Sequence, residues 1–253
     1  MLGETLPLVF LVALMGIAAV LYASSGHGGA TAYLALMGLF SVAPATMKPV
    51  ALVLNVVVAG TGALRLAKAG QVPWRALAFL LTGSVPLAFV GGRADLPSEV
   101  YRPLLGVTLL VAAARLFLPT TERALRAPPA GILLVVMGAG MGLLSGLTGI
   151  GGGVFLSPLL VLMRWEDPRR TAGAASVFIV VNSVTGLVGL ATRGGLHGLP
   201  PELPFVVVVV FLGGLLGSWL AVHKLAPTGL RRALGVVLVI SGAKLIAEGL
   251  GVG

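Results

Sequence analysis

Cysteine is absent from the 253 residues, which excludes a disulfide framework, thiol chemistry and any cysteine-ligated metal site. Charge is scarce: 10% of residues are charged, where a soluble domain carries about 25%. Acidic residues are scarcer still, 8 against 17 Lys and Arg. The apolar stretches hold almost none of them, which argues against ion coupling through a buried carboxylate. Aromatic residues make up 6%, so Ala, Val, Leu and Gly fill the chain. The three histidines, His27, His197 and His223, have no carboxylate placed to join them, and no metal or cofactor is expected. No Lys or Arg precedes the first apolar run, MLGETLPLVFLVALMGIAAVLY. A secretory signal peptide begins with basic residues, so a retained first helix is expected.

Hydrophobicity is what the chain has in excess, with a mean hydropathy of +1.06. This is the composition of an integral membrane protein. The net charge of +9 then reads as basic loops obeying the positive-inside bias rather than as a nucleic-acid surface. Apolar runs predict helices over 6–23, 28–42, 49–67, 74–91, 100–118, 131–147, 153–164, 171–192, 203–223 and 230–249. Most approach the roughly 20 residues that span a bilayer. The runs 28–42 and 153–164 are short, and each directly follows a glycine cluster.

That coincidence points to an internal repeat. SSGHGGATAYLALMG in the first half matches LTGIGGGVFLSPLLV in the second. Gly26, Gly28 and Gly29 align with Gly149, Gly151 and Gly152, and Pro44 aligns with Pro168. Thr61-Gly62 aligns with Thr185-Gly186, and Pro97…Arg102…Leu105-Gly106 resembles Pro227…Arg232…Leu234-Gly235. The expected organisation is a first transmembrane repeat over 1–118, a proline-rich, charged cytoplasmic linker over 119–130, and a second transmembrane repeat over 131–253.

Basic residues set the expected topology. If the first two elements of each half either both cross or form one re-entrant hairpin, one face collects Arg65, Lys68, Arg75, Arg115, Arg123, Arg126, Arg164, Arg169, Arg170, Lys224, Arg231 and Arg232. The other keeps Lys48, Arg93, Arg102 and Arg193. Letting the long element cross with only the short one re-entrant removes most of this bias, so the first parity is preferred, with crossing and re-entrant forms both left open. Three further crossings per half make the two halves inverted relative to each other, with both termini outside. The fold class is thus all-α integral membrane, two inverted repeats of about five helical elements each, with glycine-broken short helices near the midplane.

Lipid cannot satisfy unpaired backbone groups, so irregular backbone at membrane depth belongs in protein or along a water-filled cavity. Paired breaks in inverted halves mark a transporter's binding site. Each loop leads into a helix N-terminus, which attracts anions, and glycine lets the backbone approach a ligand closely. The alternative use of such glycines is close helix packing. Candidate substrate-binding residues are Gly26, His27, Gly28, Gly29, Gly149, Gly151, Gly152 and Gly153, with Asn55 and Asn182 as amide donors from the middle of their helices. The alternative for both asparagines is interhelical hydrogen bonding. His27 is also a candidate for proton coupling, since it is the one ionisable side chain within either motif. Lys48 is expected to recruit anions at the outer mouth or to be solvated, and Arg169 and Arg170 play the same part inside. Ser25 and Ser145 near glycine raise an intramembrane hydrolase, but no nucleophile–base–orienter set is evident.

GLLSGLTGIGGGVFLSPLLVL, followed by Pro168 and TAGAASVFIVVNSVTGLVG, resembles the second-half signature of the sulfite exporter TauE/SafE family, also called the 4-toluene sulfonate uptake permeases. The resemblance covers about residues 10–247, and its glycine motif maps onto Gly149, Gly151, Gly152, Gly153 and Pro158. It implies a bacterial inner-membrane carrier of small sulfur-containing or carboxylate anions. The first half departs from the pattern: His27 stands opposite Ile150, Ala30 replaces the third glycine and Ala35 replaces the proline. The resulting expectation is a non-enzymatic secondary anion transporter working by alternating access. An anion channel is the runner-up, and the hydrolase is a more distant alternative. The expected partners are the anion and the lipid bilayer, with a homodimer left open and no nucleic acid.

Overall fold

The computed structural model describes residues 2–24, 29–117, 129–223 and 228–252. Ten α-helices account for almost all of them: α1 (Leu2–Ser24), α2 (Ala30–Leu39), α3 (Pro44–Lys68), α4 (Trp74–Arg93), α5 (Ser98–Phe117), α6 (Gly131–Thr148), α7 (Gly153–Leu162), α8 (Pro168–Ala191), α9 (Leu203–His223) and α10 (Thr228–Gly249). Every expected helix is present and the chain is all-α. Pro44–Lys68, Trp74–Arg93, Gly131–Thr148, Pro168–Ala191 and Leu203–Leu220 are long and apolar enough to cross a membrane. The linker 119–128 lies outside the described residues.

The long helices start earlier than hydropathy indicates where proline or a cap intervenes. α3 begins at Pro44 rather than 49, because proline fits the first turn, where no amide partner is needed. α8 begins at Pro168 rather than 171, because the Asp167 carboxylate accepts from Arg169 N at 2.8 Å and Arg170 N at 3.0 Å.

The main packing pairs join the two halves. α1 packs on α9 and α4 on α6, while α3 packs on α8 and α5 on α10. Small residues make these approaches possible. A Cβ at Gly142 would run into the Ser84 backbone, and one at Gly91 would lie 2.6 Å from the Leu143 carbonyl oxygen. The contacts of Gly62 with Ser176 and of Gly186 with Leu52 make α3 and α8 antiparallel. Those of Gly106 with Gly242 and of Gly249 with Pro103 do the same for α5 and α10.

These contacts also fix the path of the glycine segment. Gly131, at the start of α6, packs on Phe79 near the start of α4, and Gly173, near the start of α8, packs on Gln71 just before α4. α6 and α7 therefore form a hairpin that enters and leaves the bundle at one end. α7 has 10 residues, about 15 Å of helix, or half a hydrocarbon core. The hairpin parity is the one favoured by the basic residues. Arg65, Lys68, Arg75, Arg164, Arg169 and Arg170 lie at or near its open end.

Candidate functional site

The hairpin turns at Gly149–Gly152, deep between α3, α6 and α8. Gly149 closes α6 with φ +84°, Gly151 has φ +83°, and Gly152 starts α7 with φ +81°. All three conformations are strained for residues with a Cβ. Space is also limiting. A Cβ on Gly151 would lie 2.7 Å from Asn55 Nδ2 and 3.0 Å from Ser183 Oγ, and one on Gly152 would lie 2.7 Å from the Phe178 ring. The close packing expected of these glycines is thus present in the turn.

Three carbonyls at the start of the loop are held by side chains of the first half. Asn55, with 0% exposure, donates its amide to Ile150 O at 3.1 Å, Ser183 Oγ at 3.3 Å and Gly149 O at 3.5 Å. The buried Tyr101 hydroxyl donates to Thr148 O at 3.0 Å. On the donor side, Gly149 N is bonded to Ser145 O at 2.8 Å and Ile150 N to Thr148 Oγ1 at 3.4 Å. The next four amides, of Gly151, Gly152, Gly153 and Val154, donate to no acceptor among the described residues. Gly151, Gly152 and Gly153 are buried. These four N–H groups open α7, where the helix dipole adds positive potential. The arrangement suits an anion with several oxygens.

The remaining candidate residues divide. Gly26, His27 and Gly28 lie outside the described residues. Gly29 precedes α2 with φ −86°, an ordinary value, and packs against the Tyr33 side chain. Asn182 is fully buried, but its amide turns back on its own helix, to Phe178 O at 2.8 Å. The Asn55 amide is engaged with loop carbonyls rather than open to an oxyanion. Asn55 Oδ1, Asn182 Oδ1 and Ser145 Oγ are buried with no hydrogen-bond partner among the described residues. Among the described residues no base engages Ser145, and Ser25 lies outside them.

Lys48 is 6% exposed rather than solvated, and it lines a cleft at this end of the bundle. Its ammonium donates to Gly91 O at 2.9 Å, Gly92 O at 3.1 Å and Ala94 O at 3.3 Å. The physical reason is the α4 C-terminus, whose last carbonyls have no intrahelical donors and carry partial negative charge. Lys244 does the same for α2, donating to Leu39 O at 2.8 Å and Gly38 O at 3.1 Å. Glu248, one turn further along α10, lies 3.5 Å from Lys244 and also pairs with Arg102 at 3.1 Å.

Two clefts flank the hairpin. One of about 530 Å³, at the Lys48 end, is lined by Lys48, Asp95, Tyr101, Leu147 and Arg193. Tyr101 and Lys48 therefore stand between this cleft and the start of the glycine loop. Arg193 pairs there with Asp95 at 2.8 Å. The other, of about 590 Å³, lies at the hairpin's open end among Trp74, Arg75, Phe79, Leu134, Glu166 and Arg170. Arg170 is paired with Glu166 at 3.0 Å, and burial pushes the Glu166 carboxyl upward despite that partner. Arg169 is exposed.

Tyr101 was not evident from sequence, since a lone tyrosine in an apolar helix carries no sign of its partner across the repeat boundary. The contacts of Asn55 and Lys48 are equally non-local.

Comparison with known proteins agrees with this architecture. The family model described as Sulfite exporter TauE/SafE matches residues 10–245. A probable membrane transporter protein, y4hK of Sinorhizobium fredii, is 35% identical over 234 residues, covering 90% of this chain and 94% of that protein. The probable membrane transporter protein MamO of Magnetospirillum gryphiswaldense is 28% identical, over 76% of this chain and 37% of its own. The probable membrane transporter protein YunE of Bacillus subtilis is 32% identical over 111 residues, 44% of this chain and 39% of its own. No solved structure is a significant match. The chain is a multi-pass membrane protein and a membrane transporter of the TauE/SafE sulfite exporter family.

Proposed function

We propose that this transporter is a secondary carrier of small oxyanions, sulfite, organosulfonates or short carboxylates, and that the anion binds at the Gly149–Val154 turn. The observation that carries the reading is the run of four unpaired amides, Gly151 to Val154, at the positive end of α7. A sulfite or sulfonate head presents several acceptor oxygens on one centre, which suits several free donors on one turn of backbone. Asn55 and Tyr101 act as positioning residues: by holding the carbonyls of Thr148, Gly149 and Ile150, they turn the following amides toward the ligand.

Transport proceeds by alternating access between inverted repeats. Support comes from the antiparallel pairing of the corresponding helices α3 with α8 and α5 with α10, and from the exchange of α1–α9 with α4–α6 when the halves are interchanged. The basic open end of the hairpin faces the cytoplasm of a bacterial inner membrane, both termini lie outside, and the two repeats flank the linker. His27 in the first-half turn adds positive charge or a proton when the anion is bound.

Saturable uptake of at least one such anion into proteoliposomes is the expected result. Folded, reconstituted protein that carries none of them would overturn the reading.

A further inference from the structure

The glycine turn joins two helix ends of opposite sign within a few residues. α7 begins there with donors, whereas α6 ends there with acceptors: Gly149 is its C-cap and Ile150 follows in unwound backbone. Helix C-termini carry partial negative charge, and unwound carbonyls beside them coordinate cations in membrane carriers. Around Asn55 the oxygens are already gathered. Ile150 O, Ser183 Oγ and Gly149 O lie 3.1, 3.3 and 3.5 Å from its amide nitrogen, which fills the centre of the set as a cation would.

The other half of the same carboxamide is the independent observation. Asn55 Oδ1 is fully buried and accepts nothing among the described residues. Leaving such an acceptor unpaired is unfavourable. A half-turn of the carboxamide exchanges nitrogen for oxygen. Oδ1 then stands among Ile150 O, Gly149 O and Ser183 Oγ, of which only the Ser183 hydroxyl can donate to it, and a bound cation would offset the remaining repulsion between oxygens.

We propose that Asn55, Ser183 and the carbonyls of Gly149 and Ile150 form a binding site for a monovalent alkali cation, Na⁺ before K⁺, next to the anion turn. None of the four oxygens carries a formal charge, and no group of three or more His, Asp or Glu exists among the described residues. Divalent Ca²⁺ sites rely on carboxylates, so a neutral oxygen set suits a singly charged ion. Lys48, seven residues earlier on α3, directs its ammonium onto the α4 carbonyls rather than into this cluster. The site extends the anion reading by supplying the coupling ion, and it is testable without any substrate.

The experiment is thermal unfolding of the detergent-purified protein in NaCl, KCl, LiCl or choline chloride at equal ionic strength. Na⁺ should raise the wild-type midpoint saturably above choline. Asn55→Leu should remove the Na⁺-specific rise. Ser183→Ala, which deletes one oxygen contact to a charge, should raise the half-saturating Na⁺ concentration about tenfold. A wild type that melts identically in all four salts overturns the proposal, as does Asn55→Leu with an intact Na⁺ response. If Asn55→Leu does not fold, Ser183→Ala decides, and an unchanged half-saturation overturns it. Saturable anion flux indifferent to replacing Na⁺ and K⁺ with choline removes the cation site and leaves the anion reading. Na⁺ stabilisation without flux of any anion does the reverse.

Discussion

Asn55 on α3 and Ile150 in the α6–α7 turn are joined by an amide-to-carbonyl hydrogen bond of 3.1 Å between the two halves of the chain. Asn55→Ala strips the donor from carbonyls that have nowhere to find water. A loss of about 1–3 kcal/mol is expected from the unpaired acceptors alone. Thermal or denaturant unfolding in detergent should show a lower midpoint than wild type. An unchanged midpoint would mean that the turn holds its shape without Asn55.

The turn should tolerate no side chain. Gly151→Ala places a Cβ against Asn55 and Ser183 at a φ of +83°. A strained backbone position of this kind costs about 1–3 kcal/mol. Gly140→Ala, on α6 with nothing within 4 Å of the added Cβ, should be neutral or stabilising by up to about 1 kcal/mol. Comparing anion flux per folded molecule in the two variants separates the turn from the helix. Gly151→Ala should lose at least tenfold and Gly140→Ala should keep wild-type flux.

Helix packing makes a separate demand on α6. Gly142 meets the Ser84 backbone directly, so Gly142→Ala must push α4 and α6 apart. Overpacking of this kind costs about 1–3 kcal/mol. A melting midpoint clearly below that of Gly140→Ala is expected, and equal midpoints would contradict the close α4–α6 seam.

Lys48 should be structural before it is electrostatic. Lys48→Met keeps most of the buried stem but leaves Gly91 O, Gly92 O and Ala94 O without their donor. A stability loss of about 1–3 kcal/mol is expected, with the half-saturating anion concentration changed by less than about threefold. A large rise in that concentration at unchanged stability would instead make Lys48 an anion-recruiting residue.

The fold was largely legible because lipid imposes long apolar helices and tolerates broken backbone only in protected places. The short α2 and α7 and the second-half hairpin follow from those constraints. What the sequence could not show depends on contacts across the halves. Asn55 lies 95 residues from Ile150, and no local pattern says that its amide faces carbonyls instead of a ligand. Lys48 looks like any loop lysine until α4 ends beside it. Gly152 stood out in the sequence as a candidate, but its left-handed φ of +81° and the Phe178 ring at its back emerge only from the packing. A leucine there would disturb folding as well as binding, which makes Gly151→Ala the milder probe.

Anion flux into proteoliposomes is the most direct test of the central claim. Sulfite, small sulfonates and short carboxylates would be compared for wild type, Gly140→Ala and Gly151→Ala, each verified as folded and reconstituted. The account predicts saturable uptake of at least one anion, kept in Gly140→Ala and reduced at least tenfold in Gly151→Ala. Uptake of no anion by folded wild type, or full uptake by Gly151→Ala, would contradict it.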